Sequence, residues 1–94
     1  MNHIPYGRQD VTSEDVKNVI SVLESDYLTQ GPVVPKFEEA VSDYCNVKFS
    51  VATNSATSAL HLAYRALNVG DQDYVWTSPN TFVATSNAAL LCGA

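Results

Sequence analysis

The sequence predicts an α/β fold of parallel type, in the order helix, helix, strand, helix, strand, helix. Three observations carry this. Apolar residues recur at helical spacing in three segments, and a fourth is rich in Ala and Leu. Two short runs of β-branched and aromatic residues, 49–53 and 74–77, lie between the later helices. Strands alternating with helices imply parallel pairing through crossover connections. The chain has 94 residues, room for one small domain. A chain this short buries only somewhat above ~60% of its extended-chain surface and is marginal as a free-standing unit. Its hydrophobic share of 46% argues against intrinsic disorder.

The first ten residues are polar and aromatic without periodicity and read as an extended arm. Thr12-Ser13-Glu14-Asp15 then places hydroxyl caps before first-turn carboxylates, which suits a helix N-terminus. Val16, Val19, Ile20 and Leu23 make one apolar face through about residue 25. Gly31, Pro32 and Pro35 punctuate the next stretch. A second helix is expected to start near Pro35, since a first-turn residue needs no N–H. Phe37, Ala40, Val41 and Tyr44 form its face. Residues 49–53 alternate and read as a strand. Polar Asn54-Ser55 passes into a helix carrying Leu60, Ala63, Ala66 and Leu67, with Gly70 at the expected stop. Residues 74–77 read as the second strand, Pro79-Asn80 as a turn, and 82–91 as the last helix. Gly93-Ala94 suits a helix stop. The small apolar ending at 89–94 lacks a polar tail, so the chain is expected to be the N-terminal piece of a longer protein.

Charge excludes several partners. Five Lys+Arg against ten Asp+Glu leave a net charge of −5, and no two basic residues adjoin. A nucleic-acid binder needs a basic stripe to displace counterions, so none is expected, and an anionic membrane is disfavoured likewise. No run approaches the ~20 apolar residues that cross a bilayer. The opening residues lack the basic-then-apolar order of a signal peptide. Cys45 and Cys92 lie too far apart for a CxxC motif and are expected to be reduced thiols of a cytoplasmic protein. His3 and His61 show no metal spacing.

Three places have chemical potential. At 53–58 a strand is expected to run into a helix, where unpaired N–H groups meet the positive end of the helix dipole. Hydroxyls of Ser55, Thr57 and Ser58, with small Ala56, would complete a phosphate cup. Ordinary N-capping by Ser and Thr explains the same residues, and neither GxGxxG nor GxxxxGK[ST] is present. Phe82, past the second strand, would stack on a flat ligand or simply be core. The loop Asp26-Tyr27-Leu28-Thr29-Gln30-Gly31-Pro32 would line a substrate pocket or act as a solvated connector.

Four ordered segments turn these separate features into a resemblance. They are Leu28-Thr29-Gln30-Gly31-Pro32, Asn54-Ser55-Ala56-Thr57-Ser58-Ala59-Leu60, Gly70-Asp71 and Pro79-Asn80-Thr81-Phe82-Val83-Ala84-Thr85. Each is weak alone, but the ordered set is specific, and Phe37-Glu38 fits it too. The chain resembles the start of the DegT/DnrJ/EryC1/StrS family, pyridoxal-phosphate-dependent nucleotide-sugar aminotransferases. The resemblance implies a fold-type I transferase, with residues 1–33 as arm, helix and substrate loop and 34–94 as the start of the cofactor domain. It implies pyridoxal 5'-phosphate (PLP) as cofactor, a UDP-linked keto sugar and glutamate as substrates, and a homodimer with shared active sites. By the same resemblance Ala56, Thr57 and Ser58 receive the cofactor phosphate, Phe82 stacks on its ring, and Tyr6, Asp26, Tyr27, Leu28 and Thr29 line the sugar pocket. The family's cofactor-binding lysine and the aspartate that holds the pyridine nitrogen match nothing in 1–94; Lys17, Lys36 and Lys48 are misplaced for the task. These 94 residues alone are therefore expected to be inactive. The competing expectations are a non-catalytic acidic α/β interaction module, or a site for another phosphorylated small molecule.

Overall fold

The computed structural model describes residues 4–94; His3 lies outside the described residues. The chain forms two compact units, one ending at Ser50 and one running from Val51 to Ala94.

The first unit contains α1 (Ser13–Leu23) and α2 (Val33–Cys45). Helix α1 starts on a capping box. Asp15 N–H donates to Thr12 Oγ1 at 3.2 Å, and Thr12 N–H donates back to Asp15 Oδ2 at 2.7 Å. Two orphan donors are thus satisfied reciprocally. Helix α2 starts at Val33, two residues before the expected Pro35. Pro35 still falls in the first turn, where a missing N–H costs nothing, and the first return bond is Lys36 N–H to Pro32 O at 3.3 Å. Asn46, in the left-handed region at φ 52°, ends α2. Val47 N–H then bonds Ser42 O at 3.0 Å and Asn46 N–H bonds Asp43 O at 3.2 Å, a Schellman closure. Ser50 Oγ donates to Glu38 O and accepts from Ser42 Oγ at 3.1 Å, folding the chain back onto α2.

The second unit contains α3 (Ala56–Ala66) and α4 (Ala84–Leu91), which pack on each other. Ser55 caps α3 by accepting from Ser58 N–H at 3.2 Å. The expected stop at Gly70 is replaced by Asn68 at φ 57°, with Val69 N–H on Tyr64 O at 3.0 Å. Asn tolerates the left-handed conformation, so the turn closes two residues before the glycine. Gly70 serves the next turn instead: its N–H donates to Asp73 Oδ2 at 2.8 Å while Asp73 N–H donates to Gly70 O at 3.2 Å. Helix α4 begins at Ala84, not Phe82, with Thr85 N–H returning to Phe82 O at 3.1 Å. Gly93 at φ 96° ends it, as its sequence position predicts. Among the described residues the buried ones are Ala84, Ala88 and Ala89, on one face of α4.

Neither expected strand forms among the described residues. A strand exists only through a neighbour's hydrogen-bond ladder, and neither 49–53 nor 74–77 has one here. The alternation behind the expectation survives: Val75 is half-buried between exposed Tyr74 and Trp76. The helices match the expected helical elements of the α/β order; the strand positions remain irregular.

Candidate functional site

The residues expected to hold a cofactor all lie in the second unit, and three of them open α3. The first N–H groups of a helix have no intrahelical acceptor. The first return bond of α3 is Ala59 N–H to Ser55 O at 3.1 Å, and Ser58 N–H is taken by the Ser55 cap. Ala56 and Thr57 N–H have no acceptor among the described residues, and neither does the Thr57 hydroxyl. Both residues are exposed. They present two uncommitted amides, one hydroxyl and the positive end of an 11-residue helix on one turn. That donor set fits a phosphate group.

The hydroxyls flanking them are less free than the sequence suggests. Ser58 Oγ donates to Asn54 Oδ1 at 3.0 Å and lies 3.0 Å from Ser55 Oγ. Ser55 acts as the cap, so that part of the alternative N-capping reading holds. Asn54, for which the sequence suggests no role of its own, orients Ser58; its position directly before the cap is the available signal. For Ser58 to donate to a ligand its hydroxyl must leave Asn54.

Phe82 sits in the turn before α4 and is 76% exposed. It is therefore not core, and its ring is available to a partner. Thr85 fastens this turn: Thr81 Oγ1 and Thr85 Oγ1 lie 3.1 Å apart, and Tyr64 Oη donates to Thr85 O at 3.1 Å. Sequence reasoning passed over Tyr64, although it shares a helical face with Leu60 and Leu67.

The residues expected to meet a sugar lie in the first unit. A cavity of about 290 Å³ has Val22, Tyr27, Leu28, Gly31, Val33 and Lys36 in its wall. Tyr27 and Leu28 thus come together, whereas Asp26 and Thr29 share the loop without lining this cavity. Tyr6 is in the arm and fully exposed. The loop is braced by Ser25, whose Oγ donates to Val22 O at 2.8 Å and accepts from Tyr27 N–H at 3.2 Å. Gly31 is required by close approach: a Cβ there would lie 2.7 Å from Tyr27 Cβ.

Asp15 is the one carboxylate with a clear shift, held below the ordinary aspartate range by Thr12 N–H and then by the Thr12 hydroxyl. It belongs to the α1 cap, away from the candidate residues in sequence. No group of three or more His, Cys, Asp or Glu among the described residues is placed to hold a metal. No helix there is long and apolar enough to cross a membrane.

Comparison with known proteins gives the family of the chain. The model of the DegT/DnrJ/EryC1/StrS aminotransferase family matches residues 9–94. A UDP-4-amino-4,6-dideoxy-N-acetyl-beta-L-altrosamine transaminase of Campylobacter jejuni is 46% identical over 91 residues, 97% of this chain and 24% of that protein. The spore coat polysaccharide biosynthesis protein SpsC of Bacillus subtilis is 40% identical over 94 residues, 99% of this chain and 24% of its own length. Among solved structures, Spr1654 of Streptococcus pneumoniae, assigned as a sugar aminotransferase and determined in PLP and PMP forms, superposes with a TM-score of 0.89 at 33% identity. It covers 99% of this chain, which spans 24% of that one. The chain thus spans about a quarter of the length of these relatives. The superposition supports the fold-type I class, whatever the local state of the strand segments. With residues 9–94 matched, the chain belongs to the DegT/DnrJ/EryC1/StrS aminotransferase family.

Proposed function

We propose that the protein carrying this segment is a PLP-dependent nucleotide-sugar aminotransferase that moves an amino group from glutamate to C4 of a UDP-4-keto-6-deoxy-N-acetylhexosamine, a step toward pseudaminic acid. The observation that carries the reading is the pair of uncommitted amides at Ala56 and Thr57, with the free Thr57 hydroxyl, on a helix N-terminus. Bound PLP supplies an electron sink that lets the amino group leave its donor and reach the keto carbon. Everything else asked of this segment is holding and placing. Ala56 and Thr57 donate to the phosphate, and Ser58 joins them by releasing Asn54. Phe82 stacks its exposed ring on the cofactor. Tyr27 and Leu28 wall a cavity whose volume is at the small end for ligand sites, enough for one ring of a nucleotide sugar. Tyr6, Asp26 and Thr29, which lie outside that cavity, meet the rest of the sugar nucleotide.

In this reading residues 1–33 are the arm, helix and substrate loop, and 34–94 open the cofactor domain. The protein works in the cytoplasm as a homodimer, without nucleic-acid or membrane partners. The lysine and aspartate that the family needs lie outside 1–94, so the segment alone has no turnover. The choice of sugar rests on altrosamine transaminases of Campylobacter jejuni and Helicobacter pylori, 46% and 40% identical. A GDP-perosamine synthase of Caulobacter vibrioides, 36% identical over 77 residues, supports a second reading with a different sugar nucleotide. Incubating the full-length protein with glutamate and either UDP- or GDP-linked 4-keto sugar, with mass analysis of the product, separates them. A gain of the amino group on the UDP sugar alone is expected. Amination of the GDP sugar alone rejects the first reading, and amination of neither rejects both.

A further inference from the structure

We infer that Tyr64 is a positioning residue for the cofactor site, fixing the turn that carries Phe82 to the helix whose first amides face the phosphate. The inference rests on the cofactor reading above and deepens it. Thr85 is the node. Its N–H donates to Phe82 O at 3.1 Å, its hydroxyl meets that of Thr81 at 3.1 Å, and its carbonyl accepts from Tyr64 Oη at 3.1 Å. Two of these bonds brace residues 81–85 internally, and the third, from Tyr64, ties them to α3. Tyr64 and Thr85 are both half-buried, so this bond is partly shielded from competing water. It is the one hydrogen bond that crosses between α3 and α4 among the described residues.

Tyr64 stands seven residues beyond Thr57 on the same helix, about 10 Å along the axis at the α-helical rise. A helix of that length is a rigid spacer. The ring plate and the phosphate amides are thus held by one frame, and the phenol is the joint between its halves. Removing the hydroxyl leaves the ring in place and the packing of α4 through Ala84 and Ala88 intact. What it frees is the tilt of the turn bearing Phe82.

The test uses the full-length protein. PLP affinity is measured by titration, the circular dichroism of the bound cofactor's absorption band reports how the ring is held, and the thermal midpoint of the apo form reports stability. Tyr64→Phe is expected to weaken PLP about three- to tenfold, the span of one net hydrogen bond, and to change the cofactor band. Thr85→Val, which cuts the link to Thr81 and leaves the carbonyl, is expected to alter the same band and serves if Tyr64→Phe does not fold. A lower midpoint with unaltered affinity and band in both variants would mean that Tyr64 only braces the fold, and overturns the inference. Phe82→Leu and Thr57→Asp are the controls for the underlying reading. If they weaken PLP and the Tyr64 and Thr85 variants do not, the inference alone fails. If the controls bind PLP like the parent, the cofactor reading fails and takes the inference with it.

Discussion

At the scale of single residues, the clearest electrostatic feature is the Thr12–Asp15 box. Hydrogen bonds to the ionised carboxylate favour it, so Asp15 titrates below the ordinary aspartate value of 3.8. A depressed pKa in the folded state contributes stability above the unfolded value, and that contribution is lost as pH falls through the folded one. Helix α1 is therefore expected to loosen as pH falls below about 3.8, and an NMR titration should find Asp15 ionising below the ordinary aspartate range. Thr12→Ala removes the hydroxyl and keeps the N–H, so it should raise the Asp15 pKa part of the way toward the ordinary value; an unchanged titration would show that the hydroxyl contributes nothing. Gly31 makes a different kind of prediction. An added methyl would meet Tyr27 Cβ at 2.7 Å, closer than packed carbons tolerate. Gly31→Ala is expected to displace Tyr27 and cost about 1–3 kcal/mol by overpacking. Under the proposed function it should raise KM for the sugar nucleotide in the full-length enzyme while PLP affinity stays put. Steady-state kinetics beside a PLP titration checks both.

At the scale of elements, the packed pair is α3 with α4, and its tightest point is Ala88, with no exposed surface. Ala88→Leu forces several heavy atoms into a filled site and should cost about 1–3 kcal/mol, read from a denaturant midpoint in the full-length protein. Here the limits of sequence reading have physical causes. The start of α1 was legible because a capping box is local, four residues of chemistry that need nothing distant. The stop at Gly93 was legible for the same reason. The stops at Asn46 and Asn68 were not, because asparagine accepts the left-handed conformation without demanding it, while nearby Gly70 is the louder signal. Phe82 heads an Ala- and Leu-rich run that reads as helix, whereas α4 begins two residues later at Ala84. The strand segments alternate as strands do, but pairing is a contact with residues far away in sequence. In the candidate site, the amides at Ala56 and Thr57 follow from helix geometry alone. The diversion of Ser58 toward Asn54, and the Tyr64–Thr85 bond across 21 positions, are tertiary facts.

At the scale of the whole molecule, apolar exposure dominates. The chain exposes 8691 Å², whereas a folded monomer of this length would expose roughly 5300 Å². Trp76, Tyr44 and Tyr74 are each more than 90% exposed, and among the described residues the buried ones are three alanines. Three methyl groups cannot offset the roughly 1–2 kcal/mol of backbone entropy lost per ordered residue. The 94 residues on their own are therefore expected to melt without a cooperative transition and to bind a hydrophobic dye. A sharp monomeric melt would instead show that these residues fold as a self-sufficient unit.

Whether the first turn of α3 holds the phosphate of PLP is tested most directly by calorimetry on the full-length protein. Thr57→Asp puts a carboxylate beside the amides of Ala56 and Thr57, where it repels a phosphate and satisfies those donors itself. PLP affinity is predicted to fall by at least about tenfold, on the order of 1.4 kcal/mol, with pyridoxal lacking the phosphate affected far less. Equal PLP affinity in the parent and the variant would contradict it.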